Sequence, residues 1–535
     1  METALPSKTY KTPPRKLARF FEKSRNRWKD KYREAKRTVK RLKNRVRFLE
    51  KSKASARSQV KELKAELVRM HTRHQALEKQ VATLKQMAAR SALPATSGSE
   101  DLALVPFHHH YSVGLVNLFV SMVLSAAASL RCAGQVMQIV LSTFQLPWTA
   151  PSWSAGRLWL LRLGYYKLTR SKEQANDWVW IVDYTLQLGC EKCLVILGVR
   201  LSALPSPDRC LGHADVEPLT LCPLQHSNGA IVYQRLEETA VKTGIPREII
   251  SDAGTDVHSG IERFCQVHSE TCAIYDIKHK TAAVLKRELE QDAVWQEFTQ
   301  LAAQTKHHVQ QTPLAALAPP NQKAKARYMN FDLLVRWGQR LRVFLERPLP
   351  ESPFDPEQLQ EKLGWIMRFR EPLQEWSVLL QIVTTSESFV RHHGVYRGVE
   401  RDLHKELPEL EIETERTRRV RQQLLAFVAA EERKVAPDER LLGSSEVIES
   451  AFGKLKRLER DQAKNGFTGL VLGMAALVSV TTSEVIHKAL ATVPTKEVLA
   501  WCKENLGQSI QVINKELFAA CHTAEQKRDQ LAQPA

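Results

Sequence analysis

A heptad pattern dominates the first hundred residues of the chain. Between residues 15 and 93 there is no proline and no glycine, and one seam keeps an alternating spacing of four and three residues. Its members are Trp28, Tyr32, Ala35, Val39, Leu42, Val46, Leu49, Lys53, Ala56, Val60, Leu63, Leu67, Met70, His74, Leu77, Val81, Leu84 and Ala88. A repeat sustained over this length predicts a coiled coil rather than a helix packed in a globule.

The two kinds of seam position carry different side chains. Valine recurs at one position and leucine at the other, which favours a parallel dimer. Lys53 and His74 interrupt the seam and would fix its register at some cost in stability. The alternative, a single solvated basic helix, would leave many large apolar side chains exposed.

Helical patterns continue after a short polar segment. Residues 93–104 have the composition of a linker, and several helical patterns follow in residues 105–170. Ser152 is a candidate N-cap for a short amphipathic helix that ends at Gly164. This helix is a candidate for the second helix of a helix-turn-helix, and an ordinary helical subdomain explains it equally well.

Near residue 178 the pattern changes to short apolar runs. Such runs are typical of buried strands, and the helical patterns between them indicate an α/β order with a mixed sheet. The predicted strands are Trp178–Asp183, Leu194–Leu201, a short one at Ile231–Val232, Ile249–Asp252 and Thr271–Asp276. The predicted helices are Leu236–Thr243 and one that opens at Lys280.

Residues 285–440 show long helical patterns with proline-rich breaks and no convincing strand. We therefore expect an α+β multidomain chain in which an α/β region is followed by an all-α region. The expected domains are a basic coiled coil for dimerisation (1–92), a helical domain (105–170), an α/β domain (175–289), a helical domain (290–440) and a C-terminal domain with further helices (441–535).

Charge separates the N-terminal arm from the rest of the chain. The formal net charge is +19, and residues 1–100 hold 28 Lys and Arg against 9 Asp and Glu. The remaining residues therefore carry no net charge. A basic excess confined to one arm indicates a polyanionic partner or an anionic membrane surface. A hydrophobic fraction of 43% excludes disorder of the whole chain.

Cysteine content and apolar stretches bear on location. Nine cysteines in 535 residues are an odd number and do not suggest a disulfide framework, so a reducing compartment fits better. The N-terminus lacks the apolar core of a signal peptide. Apolar stretches at residues 113–130 and 466–480 are better explained as buried helices than as membrane spans. We expect a protein of a reducing compartment with no membrane partner.

Three acidic residues lie where acids are unusual. Asp183 and Asp252 each end an apolar strand, and Glu449 lies on a helical pattern among apolar residues. Ligands bind at strand ends in α/β sheets, and carboxylates gathered there suit hard cations such as Mg²⁺. Two such ions can activate a nucleophile and stabilise the leaving oxygen of a phosphodiester. Taken singly, each Asp is more often a turn former, and Glu449 is more often solvated.

The segments around these acids resemble the three motifs of DDE transposases and retroviral integrases. They read Ile-Val-Asp-Tyr-Thr (181–185), Ile-Ser-Asp-Ala-Gly-Thr-Asp (250–256) and Glu-Ser-Ala-Phe-Gly-Lys-Leu-Lys (449–456). The resemblance implies an RNase H-like core with one Asp on the first strand, one just after the fourth, and the Glu on a later helix.

The same resemblance implies roles for individual residues. Asp183, Asp252 and Glu449 would be catalytic and would bind two Mg²⁺ ions, with Mn²⁺ able to replace them. A lysine seven residues after the Glu is part of the family pattern, and Lys456 lies there, on the same helix face as Glu449. Lys454, Lys456 and Arg457 would then contact DNA phosphates.

The chain departs from the integrase pattern in two ways. Ala253 stands where integrases often have Asn, and 197 residues separate Asp252 from Glu449. The long spacing is more similar to bacterial insertion-sequence and hAT-like transposases, in which an extra domain precedes the Glu. This resemblance implies that residues 290–440 are a helical insertion between the first part of the RNase H-like core (175–289) and its completion with the catalytic Glu (441–535). It also implies that the basic coiled coil (1–92) binds DNA and that the protein is cytoplasmic and associated with a bacterial nucleoid. In such families an aromatic side chain of the insertion sometimes holds a displaced base. The candidates here are Trp295, Trp337, Trp365 and Trp376, and core packing is the simpler explanation for each.

Other acids and possible ligands stay open as alternatives. Glu446 competes with Glu449, but Gly453 rather than a basic residue lies seven positions after it. Asp256 and Asp276 are candidate supporting acids, and the segment 276–280 could face DNA. A weaker zinc interpretation rests on Cys190, Cys193, Cys222 and His226, which lack a second pair at finger-like spacing.

The expected function is therefore that of a DDE transposase that cleaves the ends of a mobile element and joins them to target DNA. Its partners would be double-stranded DNA, both element ends and target, and further copies of the chain in a dimer or higher oligomer formed through the coiled coil. One alternative is a domesticated, non-catalytic DNA-binding or architectural protein that retains the fold. Another is a coiled-coil scaffold whose basic arm meets an anionic membrane.

Overall fold

The computed structural model describes residues 13–45, 53, 98–186, 191–206, 209–322, 328, 331–347, 354–409, 413–460, 467–508 and 510–531. The chain divides into two compact units, Met1–Ala95 and Thr96–Ala535. In the first unit residues 14–45 form one α-helix, α1. Its seam residues Trp28 and Leu42 are 68% and 57% exposed in the single chain.

Helix α1 confirms the helical part of the coiled-coil prediction within residues 14–45. After Leu42, the predicted seam residues other than Lys53 lie outside the described residues. Dimerisation through this seam stays a prediction.

The second unit begins with four helices. They are α2 (Gly98–Ala103), α3 (Val113–Leu124), α4 (Leu130–Thr143) and α5 (Trp153–Thr169). Each of the last three begins at a serine, Ser112, Ser129 or Ser152, whose hydroxyl accepts a hydrogen bond from a backbone N–H of the first turn. Helix α2 lies in the segment that was predicted to be a linker.

A five-stranded mixed sheet follows, with two helices among its strands and a third after the last. Its strands are β1 (Trp178–Leu186), β2 (Lys192–Arg200), β3 (Glu217–Leu224), β4 (Glu248–Ser251) and β5 (Cys272–Tyr275). The spatial order is β3-β2-β1-β4-β5. Strands β1, β2 and β3 pair antiparallel, whereas β4 and β5 run parallel to β1. The helices are α6 (Gly229–Thr243), α7 (Thr255–Val267) and α8 (Ile277–Leu289).

The predicted third strand is wrong. Ile231 and Val232 lie in α6, because Asn228 caps a helix there by accepting from the Ile231 N–H at 3.0 Å. The third strand is β3 instead, an edge strand that contains two prolines. The other four predicted strands are confirmed within a few residues.

Side chains alternate between the two faces of the sheet along β1, and both faces are covered. Trp178, Trp180 and Val182 pack with α6 and α7 in one apolar cluster. Val179 and Ile181 face the opposite way, into the larger core of the unit. Asp183 continues this second face, so the strand carries its carboxylate towards the side covered by the later helices.

The region predicted as a helical insertion is helical. Its elements are α9 (Ala293–Val309), α10 (Phe331–Glu346), α11 (Pro356–Leu363), α12 (Arg370–His393), α13 (Val399–Glu406) and α14 (Glu415–Glu432). Two-residue strands β6 (Val395–Tyr396) and β7 (Arg440–Leu441) pair antiparallel at its end. These helices share the larger core with the sheet, and the predicted domain boundaries within residues 96–535 stay predictions.

Aromatic residues fill the centre of this helical region. Trp295 and Trp376 are 1% and 0% exposed and stack edge to face at 4.8 Å between ring centroids. Trp337 and Trp365 are partly buried, and their indole N–H groups donate to the Leu317 carbonyl and to Thr305 Oγ1. All four tryptophans therefore pack in the core, as the simpler explanation held.

The chain ends in further helices. They are α15 (Glu446–Arg460), α16 (Gly473–Leu477), α17 (Ser483–Thr492), α18 (Thr495–Asn505) and α19 (Ile510–Leu531). Short 3₁₀ segments lie at Leu201–Ala203, His213–Asp215, Pro313–Leu317, Gly364–Phe369 and Gly469–Leu472. In the described part of the chain, no helix combines the length and apolar character needed to span a bilayer.

Helix α5, the candidate second helix of a helix-turn-helix, lies deep in the unit. It packs against α16, α17 and α4. At Gly164 an added Cβ would overlap the Leu472 carbonyl, so the close approach requires glycine. Lys167 is fully buried and its ammonium donates to the carbonyls of Val478 and Ser479 at 2.7 and 2.9 Å. Whether this region binds DNA stays a prediction.

Candidate active site

The parallel pair β1 and β4 brings two aspartates to the same edge of the sheet. Their pairing ends with Val182 opposite Ser251, and the next residues along each strand are Asp183 and Asp252. Strand β5 lies on the other side of β4, with Tyr275 opposite Ser251, and the next residue is Asp276. Asp252 and Asp276 thus follow β4 and β5, whereas Asp183 lies within β1, whose pairing with β2 continues to Leu186. The prediction that Asp183 ends its strand is wrong in this respect, but all three aspartates lie at adjacent positions where the parallel pairing ends.

The turn after β4 is built around Asp252. Its Oδ1 accepts from the Gly254 N–H at 3.0 Å, which makes a local turn at the strand end. Ala253 between them has φ of 55°, a left-handed conformation that costs energy for a residue with a Cβ. The strained turn directs the chain from the strand into α7.

Asp183 is partly buried and has few hydrogen-bond donors around it. In the described residues its one hydrogen bond is from the Tyr184 N–H to Oδ1, at 2.6 Å. Burial and, after it, the nearby carboxylates of Asp252 and Glu449 raise its pKa to about 7, against the hydrogen bond from Tyr184 and the charge of His279. An acid in this environment is short of positive charge.

Glu449 reaches the site from α15. The helix buries Val447, Ile448, Ala451, Phe452 and Leu455 on one side and contacts β1. Glu449 lies at the edge of this buried face and is itself partly buried. This packing explains why an acid on an amphipathic helix is held against the sheet rather than solvated.

Two cationic side chains of α8 already hold Glu449. Its Oε2 accepts from Lys278 Nζ at 3.1 Å, and its Oε1 lies 3.0 Å from His279 Nε2. Burial alone would raise the pKa of Glu449, but the His279 hydrogen bond and the Lys278 charge hold it below its ordinary value. Burial likewise opposes the charged form of His279, yet Glu449 and Asp276 raise its pKa above the ordinary value.

Asp276 has a different environment from the other two aspartates. It is 1% exposed. Its Oδ1 caps α8 by accepting from the His279 N–H at 2.9 Å. Its Oδ2 accepts from the backbone N–H and the hydroxyl of Ser445 at 2.6 and 3.0 Å. Asp276 therefore fastens the start of α15 to the end of β5 and positions Glu449.

The alternative acids have partners of their own. Glu446 Oε2 accepts from Arg391 at 2.7 Å, and Asp256 Oδ2 accepts from Lys192 at 3.2 Å. Both pairs include partly exposed side chains. Asp183 differs from these two acids. Among the described residues it has no ion-pair partner within salt-bridge distance, and its pKa is raised.

The basic residues predicted to contact DNA lie beyond Glu449 on α15. Lys454, Lys456 and Arg457 are exposed. Lys454 Nζ lies 3.1 Å from His213 Nδ1. At Gly453 an added Cβ would meet open space, so no packing contact in the described residues explains a glycine in the middle of this helix. The structure leaves this face of α15 open to a ligand.

The donor set at the strand ends suits a hard divalent cation in its chemistry. Asp183, Asp252 and Glu449 offer carboxylate oxygens, and the raised pKa of Asp183 is the behaviour expected of carboxylates that lack a neutralising cation. Within the described residues, however, no three His, Cys, Asp or Glu side chains stand in a ready-made metal-binding group. Glu449 would have to exchange its contacts with Lys278 and His279 for such a role.

The zinc interpretation gains no geometric support. Cys193 is buried and Cys222 is partly buried, and burial raises the pKa of both thiols. Cys190 lies outside the described residues. Thiols with raised pKa values are poorer ligands, because zinc binds the thiolate.

Two further site residues were not assigned by sequence reasoning. Lys278 and His279 were noted only as part of a segment that could face DNA, and their contact with Glu449 joins residues about 170 positions apart. Glu387 of α12 is also close by, since it accepts from Thr281 of α8, and burial raises its pKa to about 7. The sequence signal for Lys278 and His279 was the start of a helix directly after Asp276, which follows a strand.

Comparison with known proteins adds little to this description. No family model matches the chain, and no curated protein matches it. Among solved structures the chain is similar to "Drosophila P element transposase strand transfer complex", with 10% sequence identity and a TM-score of 0.30 over 70% of this chain and 91% of that chain. A TM-score this low does not establish a shared fold, so the function proposed below rests on the site itself.

Proposed function

We propose that the protein is a DDE-type transposase that cleaves phosphodiester bonds at the ends of a mobile element and joins those ends to target DNA. The observation that carries the proposal is that Asp183 and Asp252 lie at adjacent positions, directly after the last paired residues of the parallel strands β1 and β4, and that α15 holds Glu449 against β1. The strand order β3-β2-β1-β4-β5, with three antiparallel and two parallel strands, supports the RNase H-like core that the motif resemblance implied.

In this proposal Asp183, Asp252 and Glu449 would hold two Mg²⁺ ions, which Mn²⁺ could replace. When bound, the ions would supply activation of a water or 3′-hydroxyl nucleophile and neutralise charge on the phosphodiester. Asp183 would have to be deprotonated to hold a cation, and its pKa of about 7 allows the deprotonated form near neutral pH. Lys278 and His279 would hold Glu449 until the ions bind, and they would then be available as donors to phosphate oxygens.

The DNA would lie along the open face of α15. Lys456 follows Glu449 by two helical turns, and Lys454 and Arg457 flank it as exposed cations. These side chains would hold phosphates and fix the position of the strand without reading its sequence. The glycine at 453 leaves room for a sugar-phosphate backbone to approach the helix closely.

The basic N-terminal arm would pair two copies of the chain and track duplex DNA. Deletion of residues 1–92 should turn an oligomer into a monomer in sedimentation, and should remove most of the salt-dependent, sequence-independent DNA binding. Unchanged oligomeric state and unchanged salt dependence in the deletion variant would contradict this part of the proposal.

One observation favours the alternative of a domesticated, non-catalytic DNA-binding protein. Glu449 is neutralised by Lys278 and His279, so the fold can satisfy this acid without a metal. The two candidates differ in a direct assay: Mg²⁺-dependent nicking of DNA that carries the element's own terminal repeats. Nicking by the wild-type chain that is lost in Asp183→Asn supports the transposase, whereas binding of the same DNA without nicking under any metal supports the domesticated form.

A further inference from the structure

A basic cavity lies at the edge strand of the sheet, away from the carboxylate site. Its volume is about 550 Å³. It is bounded by the end of α5 and the residues that follow it, by residues 220–222 of β3, by one face of α6, and by Trp501 and Asn505 of α18. A cavity of this size is in the range that accommodates a nucleotide-sized ligand.

The charge of the cavity is strongly unbalanced. Among the described residues that line it, four side chains are cationic, namely Arg170, Lys172, Arg235 and Lys242, and one is acidic, Glu238. Glu238 accepts from Arg235, at 2.5 Å from Nη1 to Oε2. Glu217, outside the lining, accepts from Arg170 and Lys172. Two carboxylates thus pair with three of the four cations in a concave and partly buried place.

Residues that line the cavity have donors without a partner among the described residues. Arg235 Nε is buried and accounts for one such donor in that part of the chain. Leaving such a donor unpaired is costly unless a ligand or water fills the position. Lys242 is exposed and forms no ion pair among the described residues.

Lys172 is the most buried of the four cations. Its side chain is 4% exposed, and its ammonium donates to the Lys167 carbonyl at 2.6 Å and to Glu217 at 3.1 Å. An ammonium has three hydrogens, so one remains for another acceptor. Burial and, after it, the charges of Arg170 and Lys242 lower the pKa of Lys172 to about 8, against Glu217. A buried cation beside like charges is stabilised when an anion binds.

We propose that this cavity is a phosphate-binding site, with Arg170, Lys172, Arg235 and Lys242 as the residues that hold the anion. Arginine forks suit phosphate oxygens, and the partly buried surroundings strengthen each charge-assisted hydrogen bond. The phosphate could belong to a free nucleoside phosphate or to a DNA strand. The site does not depend on the function proposed above, because it uses none of the residues at the strand ends.

The geometry allows the bound phosphate to belong to a DNA strand. Leu221 in the cavity wall lies opposite Val195 of β2, which lies opposite Asp183 of β1. Two strand spacings separate them, which is about 10 Å. A strand bound at the carboxylate edge could therefore place a neighbouring phosphate near the cavity.

The test uses the full chain in metal-free buffer and measures the binding of inorganic pyrophosphate by calorimetry at fixed ionic strength. We expect saturable binding that weakens about tenfold in Lys242→Ala and several-fold in Arg235→Lys, which keeps the charge but removes Nε. Lys405→Ala, an exposed lysine on α13, is the control and should bind like the wild type. A second arm replaces pyrophosphate with a short single-stranded oligonucleotide.

The outcomes separate the sources and the proposals. Weakened pyrophosphate binding in the two cavity variants supports the site with a free-phosphate ligand, and weakened oligonucleotide binding alone supports a DNA phosphate. Equal affinity of the wild type, both cavity variants and Lys405→Ala for both ligands would overturn the site, since diffuse surface charge would then explain the binding. Asp183→Asn should bind pyrophosphate normally, so failure of the cleavage assay leaves this result unaffected.

Discussion

Two aspartates at the same edge of the sheet, Asp276 and Asp183, have opposite hydrogen-bonding environments. Asp276 after β5 is fully buried and accepts three hydrogen bonds, from the His279 N–H and from the N–H and hydroxyl of Ser445. Asp183 on β1 is partly buried and accepts one, from the adjacent backbone N–H, in the described residues. The residue type and the topological position are nearly the same, and the difference lies in what later parts of the chain bring to each.

This contrast distinguishes a structural acid from a candidate functional one. At Asp276 the protein itself supplies the donors that a buried carboxylate needs, so the residue stabilises the fold. At Asp183 it supplies two more carboxylates instead, so the residue weakens the fold and gains from an external cation. Substitutions at the two positions should therefore have opposite consequences.

The largest effect is expected on activity at Asp183 and Asp252. Asp183→Asn or Asp252→Asn should lower strand cleavage by more than about 1,000-fold, equivalent to about 4 kcal/mol, because each change keeps the shape but removes a metal-binding charge. Cleavage of element-end DNA at saturating Mg²⁺ measures this. Folding and DNA binding should persist, as checked by circular dichroism and gel shift. Wild-type cleavage in either purified variant would show that the site is assigned to the wrong residues.

The next effect is on stability at Asp276. Asp276→Ala should lower the free energy of unfolding by about 3 kcal/mol, because three buried donors lose their acceptor and α8 loses its cap. Chemical denaturation measures the change. Asp256→Ala, which removes a partly exposed pair with Lys192, is the matched control and should cost no more than about 1 kcal/mol. Equal losses in the two variants would remove the distinction between structural and functional acids.

A third test separates the two glutamates of α15. Glu449→Gln should lower cleavage by about 100-fold, equivalent to about 2.7 kcal/mol, whereas Glu446→Gln should change it by no more than a few-fold. Glu446 is paired with Arg391, and Glu449 lies near the strand-end aspartates. Lys456→Ala should weaken binding of the cleaved end without abolishing metal-dependent chemistry. An active Glu449→Gln enzyme beside an inactive Glu446→Gln enzyme would reverse the assignment.

The smallest expected effect is on the pH dependence of stability. Because the pKa of Asp183 rises from 3.8 to about 7 on folding, the folded state binds an extra proton between these values. The stabilisation from this extra proton is fully present below about pH 4 and is lost as the pH rises through about 7, so the free energy of unfolding should fall over this range. The raised pKa of His279 acts in the same direction at higher pH.

Unfolding in metal-free buffer across that pH range measures this slope. Asp183→Asn should flatten it between about pH 4 and 7 and should be more stable than the wild type above pH 7. Asp183→Asn that is less stable than the wild type at every pH would contradict the view that Asp183 is short of positive charge.

Sequence reasoning found the strands that carry Asp183 and Asp252, because their apolar runs end abruptly at an acid. It missed β3, since Pro218 and Pro223 weaken the strand signal of a segment that is tolerated only because it lies at the sheet edge. It placed a strand at Ile231 and Val232, where β-branched residues outweighed the capping signal of Asn228. Local patterns mislead where position in the sheet or a single cap decides the outcome.

The electrostatic state of the site was beyond local patterns altogether. That Lys278 and His279 would meet Glu449 depends on packing between helices about 170 residues apart in the chain. The capping of α8 by Asp276 is readable from the sequence, but its hydrogen bonds to Ser445 are not. For the same reason the pKa of Asp183 could not be derived from spacing alone.

The attachment of α15 to β5 and α8 has a consequence for the order in which the protein matures. The sheet and its two aspartates are translated before the whole helical region of residues 290–440, and the glutamate is translated after it. Closing so long a loop is entropically costly and slow compared with local folding. A ribosome-bound chain can thus complete its sheet before the third acid has been translated. The contact of Ser445 with Asp276, which positions Glu449, can form only after residues 290–440 have been translated.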